Sequence, residues 1–286
     1  MVKPTVATSF FVCLLLLSAC TQENSANTVP TANNSSEQTQ TLRIAAAANL
    51  SDVLPKIIDD YKASKNTPEQ HVEVTYASSG KLYAQIKAGA PYDVFLSANQ
   101  DFPAKLAEER AVNATGQNNV AHQNDATYSP FTYARGQLAL YSITKPLDKL
   151  NTASLTNVFI SDINSKVTIA NPELAPYGAS AKAYLQSQNT YPILNKQKRL
   201  IQAENIGQAF QYVHTGSVDY GLVAQSQVIA IKAKPEQFIT LAPVSYPEIL
   251  QDGIVISDSN LAIDFTHYLR SKAGQQHFLQ AGYLPV

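Results

Sequence analysis

The chain has 286 residues, with 21 Lys and Arg against 22 Asp and Glu, a formal net charge of -1, 45% hydrophobic and 15% charged residues. That balance suits a globular body of one or two domains, large enough to bury its own core. It lacks the basic stripe that a nucleic-acid partner requires; the densest basic cluster, KQKR at 196–199, reads as a solvated helix face. The two cysteines, Cys13 and Cys20, fall within the first twenty residues, so the body has neither a disulfide framework nor a cysteine metal site.

Residues 1–19 read as a signal peptide: Lys3, then an apolar run too short to cross a bilayer comfortably. The run ends in Leu17-Ser18-Ala19-Cys20, which resembles a bacterial lipobox. The expectation is that Cys20 is lipidated and becomes the mature N-terminus, anchoring the chain to a membrane on its extracytoplasmic side. A plain signal peptide containing a Cys is the simpler alternative. Residues 20–41 are Asn, Ser, Thr and Gln with almost no apolar content, a composition that cannot bury enough surface to fold. They read as a flexible tether.

From Leu42 onward, short apolar runs alternate with helical patterns. Strands are predicted at 42–47, 72–76, 93–96, 136–142, 166–170, 198–202, 219–223, 238–241 and 252–256. Helices are predicted at 50–64, 79–88, 101–110, 152–158, 178–188, 205–215, 224–232, 260–270 and 272–281. Such alternation implies α/β architecture with parallel sheets covered on both faces. Nine strands exceed one comfortable sheet, so two lobes are expected: 42–131 with 243–286, and 132–242. The polar stretch 113–131 reads as a surface loop near a lobe crossing.

In open α/β sheets ligands sit beyond the carboxyl ends of strands, where the next helix begins. Four strand-to-helix junctions are dressed for that role. RIAAAANLSD strips its side chains to methyls before Asn49; the unpaired amides of a first helical turn attract anions. Asn49 or Ser51 capping its own helix is the plainer alternative. YASSGK places Ser78, Ser79 and Gly80 at a second helix start. Pro176-Tyr177-Gly178 and Asn205-Ile206 supply the third and fourth. Two junctions in each half suggest a cleft enclosing one small anion.

Enzyme readings are poorly supported. SSGK lacks the rest of a phosphate loop, no G-x-S-x-G surrounds a serine, and the histidines at 71, 122, 214, 267 and 277 show no metal-site spacing.

Taken together, AAAANLSDVL, YASSGKLYAQIKAGAPYDVFLSAN, YARGQLALYS, IANPELAPYGASAKAYL and DYGLVAQSQV resemble the molybdate-binding proteins of bacterial ABC transporters, over about 42–286. The resemblance implies a two-lobed periplasmic-binding-protein fold of the class II type with the ligand cleft between the lobes. It implies a tetrahedral oxyanion, molybdate or tungstate, as ligand, with no cofactor and no metal held directly by side chains. It implies delivery to the membrane permease of an ABC importer by a monomer that is not an enzyme. The residues it assigns to the oxyanion are Asn49, with the amide of Ala48 or Asn49, then Ser79, Tyr177 and Ile206. Many members add a Tyr hydroxyl where this chain has Ala224, a place the Asn49 side chain could fill. A same-fold binding protein for phosphate, sulfate or ferric iron is the alternative, with a secreted hydrolase behind it.

Overall fold

The computed structural model of the protein describes residues 40–115, 128–148, 150 and 155–286. The signal and Cys20 readings, residues 20–39 of the tether, and residues 116–127 of the expected surface loop lie outside them.

The described chain builds two five-stranded sheets. The first contains β1 (Leu42–Ala47), β2 (Val72–Ala77), β3 (Val94–Leu96), β4 (Phe131–Gly136) and β10 (Ile249–Val255), in the order β2-β1-β3-β10-β4. The second contains β5 (Leu138–Tyr141), β6 (Val167–Ala170), β7 (Leu200–Ala203), β8 (Tyr220–Ala224) and β9 (Phe238–Thr240), in the order β7-β6-β8-β5-β9. The two orders follow one plan. Three strands run parallel, and a fourth, β10 or β5, enters antiparallel between the parallel set and the edge. Both sheets are thus mixed at one side rather than parallel throughout.

The helices are α1 (Leu54–Lys65), α2 (Ser79–Lys87), α3 (Asp101–Thr115), α4 (Leu155–Ser161), α5 (Pro176–Ser187), α6 (Tyr191–Lys196), α7 (Ile206–His214), α8 (Gln225–Ala230), α9 (Asn260–Arg270) and α10 (Lys272–Gln280). They cover both faces of each sheet. In β1, Leu42, Ile44 and Ala46 pack into the cluster shared with α1, α9 and α10, while Ala45 faces the cluster shared with α2 and α3. That is the period-two alternation of a strand buried on both sides.

The lobes are joined where strands switch sheets. The predicted strand 136–142 is two strands: β4 ends at Gly136, β5 begins at Leu138, and Gln137 carries the chain across. The lobe boundary expected between 131 and 132 falls inside β4, whose pairing with β10 puts 132–136 in the first sheet. The return leg passes through a 3₁₀ turn, Pro243–Ser245. Tyr246 Oη accepts from the Leu138 amide at 3.0 Å, tying the two crossings together. The six-residue α6 was not predicted; it offers barely more than one helical turn of periodicity. The predicted start of α1 at residue 50 shifts to Leu54, because a 3₁₀ turn over Ala48–Leu50 comes first and Pro55 sits in the first turn of α1.

Candidate functional site

Register brings the junctions together. Ala47 pairs with Ala77 at the ends of β1 and β2, and Ala170 with Ala203 at the ends of β6 and β7. Each lobe therefore presents two adjacent strand ends, and the two sets meet across a small cavity of about 10 Å³. Its lining is Ala47, Ala48, Asn49, Ala77, Ser78, Ser79, Ala98, Ala175, Pro176, Tyr177, Asn205 and Ile206. Pockets for organic ligands typically run from about 300 Å³ upward, so this one is too small for such a ligand. All five residues expected to bind, Ala48, Asn49, Ser79, Tyr177 and Ile206, line it.

The alanine run now has a physical reason. Ala47 and Ala48 belong to the core cluster of the second lobe, not to that of their own sheet. A Cβ at Gly207, in the first turn of α7, would stand 3.6 Å from the Ala48 methyl. Larger side chains at 47 and 48 would hold α7 away from the end of β1.

Donors come from three helix starts. Ser79 opens α2 and is 1% exposed; its Oγ accepts from the Ala98 amide at 2.9 Å, which directs the hydroxyl proton elsewhere. Pro176 has no amide to leave unpaired at the head of α5, so Tyr177 supplies the first free one. Gly178 lets α5 start that close to its sheet: a Cβ there would fall 2.2 Å from the Ala170 carbonyl oxygen. Asn205 caps α7, its side chain accepting from Gln208 N at 2.9 Å, which leaves the Ile206 amide at the open end of the helix.

The Asn49 side chain is engaged with protein partners. It is not a cap: the turn over 48–50 has no side-chain cap, and α1 begins four residues beyond Leu50. Its Nδ2 donates to Gln251 Oε1 and to Tyr283 Oη, each at 2.9 Å, so neither amide proton is free in this arrangement. Its Oδ1 is buried with no hydrogen-bond partner. Ala224, in the place of the family's Tyr, does not line the cavity, and its amide donates to Gln227 Oε1.

No cationic side chain lines the cavity. Lys81 is half exposed and faces Glu204 at 3.8 Å, and Lys182 faces Glu173 at 3.8 Å. Glu204 was missed in the sequence. Its carboxylate accepts from Ser78 Oγ at 3.0 Å in the first lobe and from Asn205 Nδ2 in the second, bridging the lobes at the cavity rim. The Gly80 amide donates across the same gap to Leu174 O at 2.9 Å. Tyr133, Tyr177 and Tyr283 lie buried behind the cavity, and burial raises all three phenols, Tyr283 to about 12. They stay neutral at physiological pH. Gln251, Tyr133 and Tyr283 were also missed: they lie on strands or the C-terminal tail, and only the fold brings them near Asn49.

The fold and the two-sided cavity define a class, the extracytoplasmic binding proteins that close two α/β lobes on a small solute. The chain belongs to the bacterial extracellular solute-binding protein family, whose model matches residues 42–284. A molybdate-binding protein of Rhodobacter capsulatus is 31% identical over 216 residues, covering 74% of this chain and 77% of that protein. A Bacillus subtilis (strain 168) protein whose name places it among ABC transporter substrate-binding lipoproteins is 27% identical, covering 98% of each chain. The solved periplasmic molybdate-binding protein of Azotobacter vinelandii superposes with a TM-score of 0.72 at 28% identity, over 86% of this chain and 99% of that one. Among the described residues no helix is long and apolar enough to cross a membrane, and no three His, Cys, Asp or Glu side chains gather as a metal site.

Proposed function

We propose that the protein is an extracytoplasmic solute-binding protein that captures molybdate, with tungstate as a second ligand, and delivers it to the permease of an ABC importer. The observation that carries this reading is the cavity itself: four strand-to-helix junctions, two from each lobe, converge on a space too small for an organic ligand, with neutral donors and no cationic side chain. The relatives named for molybdate binding support the choice of ion. A dianion held by backbone amides and a serine hydroxyl gains charge-assisted hydrogen bonds, about twice the strength of neutral ones. Smaller sulfate would leave some donors unmade, each at a cost of about 1–3 kcal/mol. Ferric iron is disfavoured, because no Asp, Glu or His lines the cavity and the hydroxyl of Tyr177, its one lining tyrosine, is engaged with Gln251. The role is capture and release, with no reaction catalysed.

Calorimetry with molybdate, tungstate, sulfate, phosphate and ferric iron tests the reading. Heat of binding from molybdate and tungstate, with far weaker sulfate and phosphate, is expected; tight phosphate or iron binding would replace it.

Lipidation of Cys20 completes the proposal. The Leu17-Ser18-Ala19-Cys20 run supports it, as does the lipoprotein named among the relatives. Mass spectrometry of membrane-extracted protein should find a mature chain beginning at acylated Cys20. An unmodified Cys20 in an uncleaved chain would remove the anchor from the account.

A further inference from the structure

Asn49 and Gln251 form a pair of buried side-chain amides whose bonding leaves one atom over. Asn49 Nδ2 donates to Gln251 Oε1 and Tyr283 Oη. Gln251 Nε2 donates to Tyr177 Oη at 3.1 Å. Tyr133 Oη donates to Ser97 O at 2.8 Å and lies 3.1 Å from Gln251 Oε1, and Tyr283 Oη donates to Asn49 O at 2.9 Å. Asn49 Oδ1 is left buried and unpartnered on a residue that lines the cavity. Buried acceptors without partners are rare and costly.

A carboxamide turned by half a revolution exchanges its oxygen and nitrogen with almost no change of shape, but exchanges acceptor for donor. Turning Asn49 alone would set its oxygen against Gln251 Oε1, acceptor against acceptor. Turning both restores the pairing between the two amides. Gln251 Nε2 then donates to Asn49 Oδ1, and Gln251 Oε1 accepts the Tyr177 hydroxyl proton. Tyr133 keeps Ser97 O, and the Tyr283 hydroxyl, 2.9 Å from both Asn49 positions, turns its proton from Asn49 O to Asn49 Oδ1, leaving Asn49 O to Ser226 Oγ at 3.5 Å. The two arrangements share their heavy-atom distances; the second has one hydrogen bond fewer at Tyr283, and the two differ again at the position that has no protein partner. One puts an acceptor oxygen there; the other puts an NH₂ donor there. An oxyanion offers only acceptors, so it selects the second.

We propose that Asn49 and Gln251 turn together when an oxyanion binds, and that Gln251 is the positioning residue that decides whether Asn49 offers the site a donor. The inference rests on the oxyanion reading above. Gln251 suits the part because it touches both lobes: Asn49 at the end of β1, and Tyr177 at the start of α5. The space around it is kept clear by Gly136, where a Cβ would fall 2.2 Å from Tyr177 Oη and 2.7 Å from Gln251 Nε2.

The test reads the pair in the unmodified full chain first. With carbon-13 and nitrogen-15 labelling, the side-chain amide signals of Asn49 and Gln251 are assigned through bonds and followed during a molybdate titration. Both pairs should move together and saturate with the calorimetric binding curve. A second arm compares Gln251→Met, Asn49→Ala and the double variant. Gln251→Met should weaken molybdate binding about ten- to a hundredfold, the range of a hydrogen bond to a charged group. In the Asn49→Ala background the same change should cost under about threefold, since coupled residues are not additive. Side-chain amide signals unmoved at saturation, or independent and multiplicative losses, would overturn the coupled turn while leaving the oxyanion reading intact. Absence of any oxyanion binding to the unmodified chain would overturn both.

Discussion

The two halves of the cavity hold their donors in different ways. The first lobe uses side chains: Ser79 presents a hydroxyl braced by the Ala98 amide, and Asn49 sits in a buried network with Gln251 and Tyr283. The second lobe uses backbone: the Tyr177 and Ile206 amides project from the heads of α5 and α7, and their side chains pack in the core. The difference teaches where chemical identity matters. In the first lobe a changed side chain changes the donor set. In the second, on the proposed reading, the path of the backbone sets the donors, and the residues that matter most hold that path.

The largest expected effect falls on a residue that touches no ligand. Gly178→Ala would place a Cβ 2.2 Å from the Ala170 carbonyl oxygen and 2.6 Å from its carbon. Overpacking against backbone should destabilise the chain by about 3 kcal/mol, read as a lowered denaturant midpoint, with weakened molybdate binding in what remains folded. A variant of native stability and affinity would show that α5 can shift freely, and the backbone half of the comparison would fail.

Next comes Ser79→Ala, which removes one hydroxyl donor and should weaken molybdate binding by about 1.5–3 kcal/mol in calorimetry. Ile206→Val is its counterpart in the second lobe. It keeps the amide, so affinity should change by less than about 0.5 kcal/mol, while stability falls by about 0.5–1.5 kcal/mol through lost packing. Equal affinity losses at 79 and 206 would erase the distinction between the lobes.

The smallest effects should come from salt and pH. No cation lines the cavity, and Lys81 and Lys182 already face carboxylates. Molybdate affinity should therefore stay nearly flat from about 0.05 to 0.5 M of a non-competing salt, over which the Debye length shrinks severalfold. It should also stay flat from about pH 6.5 to 8.5, above the usual histidine range. The buried tyrosines act only at higher pH. The Tyr283 phenol is raised from 10.0 to about 12, so the folded state favours its neutral form. That contribution to stability is whole below pH about 10 and is lost as pH rises towards about 12, because the unfolded chain gives up the proton first. Alkaline unfolding monitored by circular dichroism should show the loss there, and Tyr283→Phe should reduce it. A tenfold affinity loss with salt would mean that a Lys or Arg reaches the ion.

Much of this was legible in the sequence because the second lobe's requirements leave local marks. Pro at a helix head, Gly behind it and Asn before Ile206 each have a short-range reason. The alanine run at 45–48 signalled close approach, although its partner, the head of α7, lies some 160 residues away and could be named only from the fold. What was not legible depends on distant pairing. Residues 131–141 read as a loop end and one strand, since nothing local marks Gln137 as the point where the chain changes sheets. Gln251, Tyr283 and Glu204 gave no signal, for a Gln within an apolar strand pattern or a Glu before an Asn has no local chemistry to betray its neighbours. The Asn49 side chain was expected as a cap or a donor; its protons go instead to partners more than 200 positions away.

The central claim is that one tetrahedral oxyanion is held where the four junctions meet. Crystals of the molybdate complex, with anomalous diffraction recorded at the molybdenum edge, test it most directly. The account expects a single strong anomalous peak in the cavity, with ligand oxygens within about 3 Å of Ser79 Oγ and the Tyr177 and Ile206 amide nitrogens. A peak elsewhere on the protein, or a molybdenum site contacted by a Lys, Arg or His side chain, would contradict it.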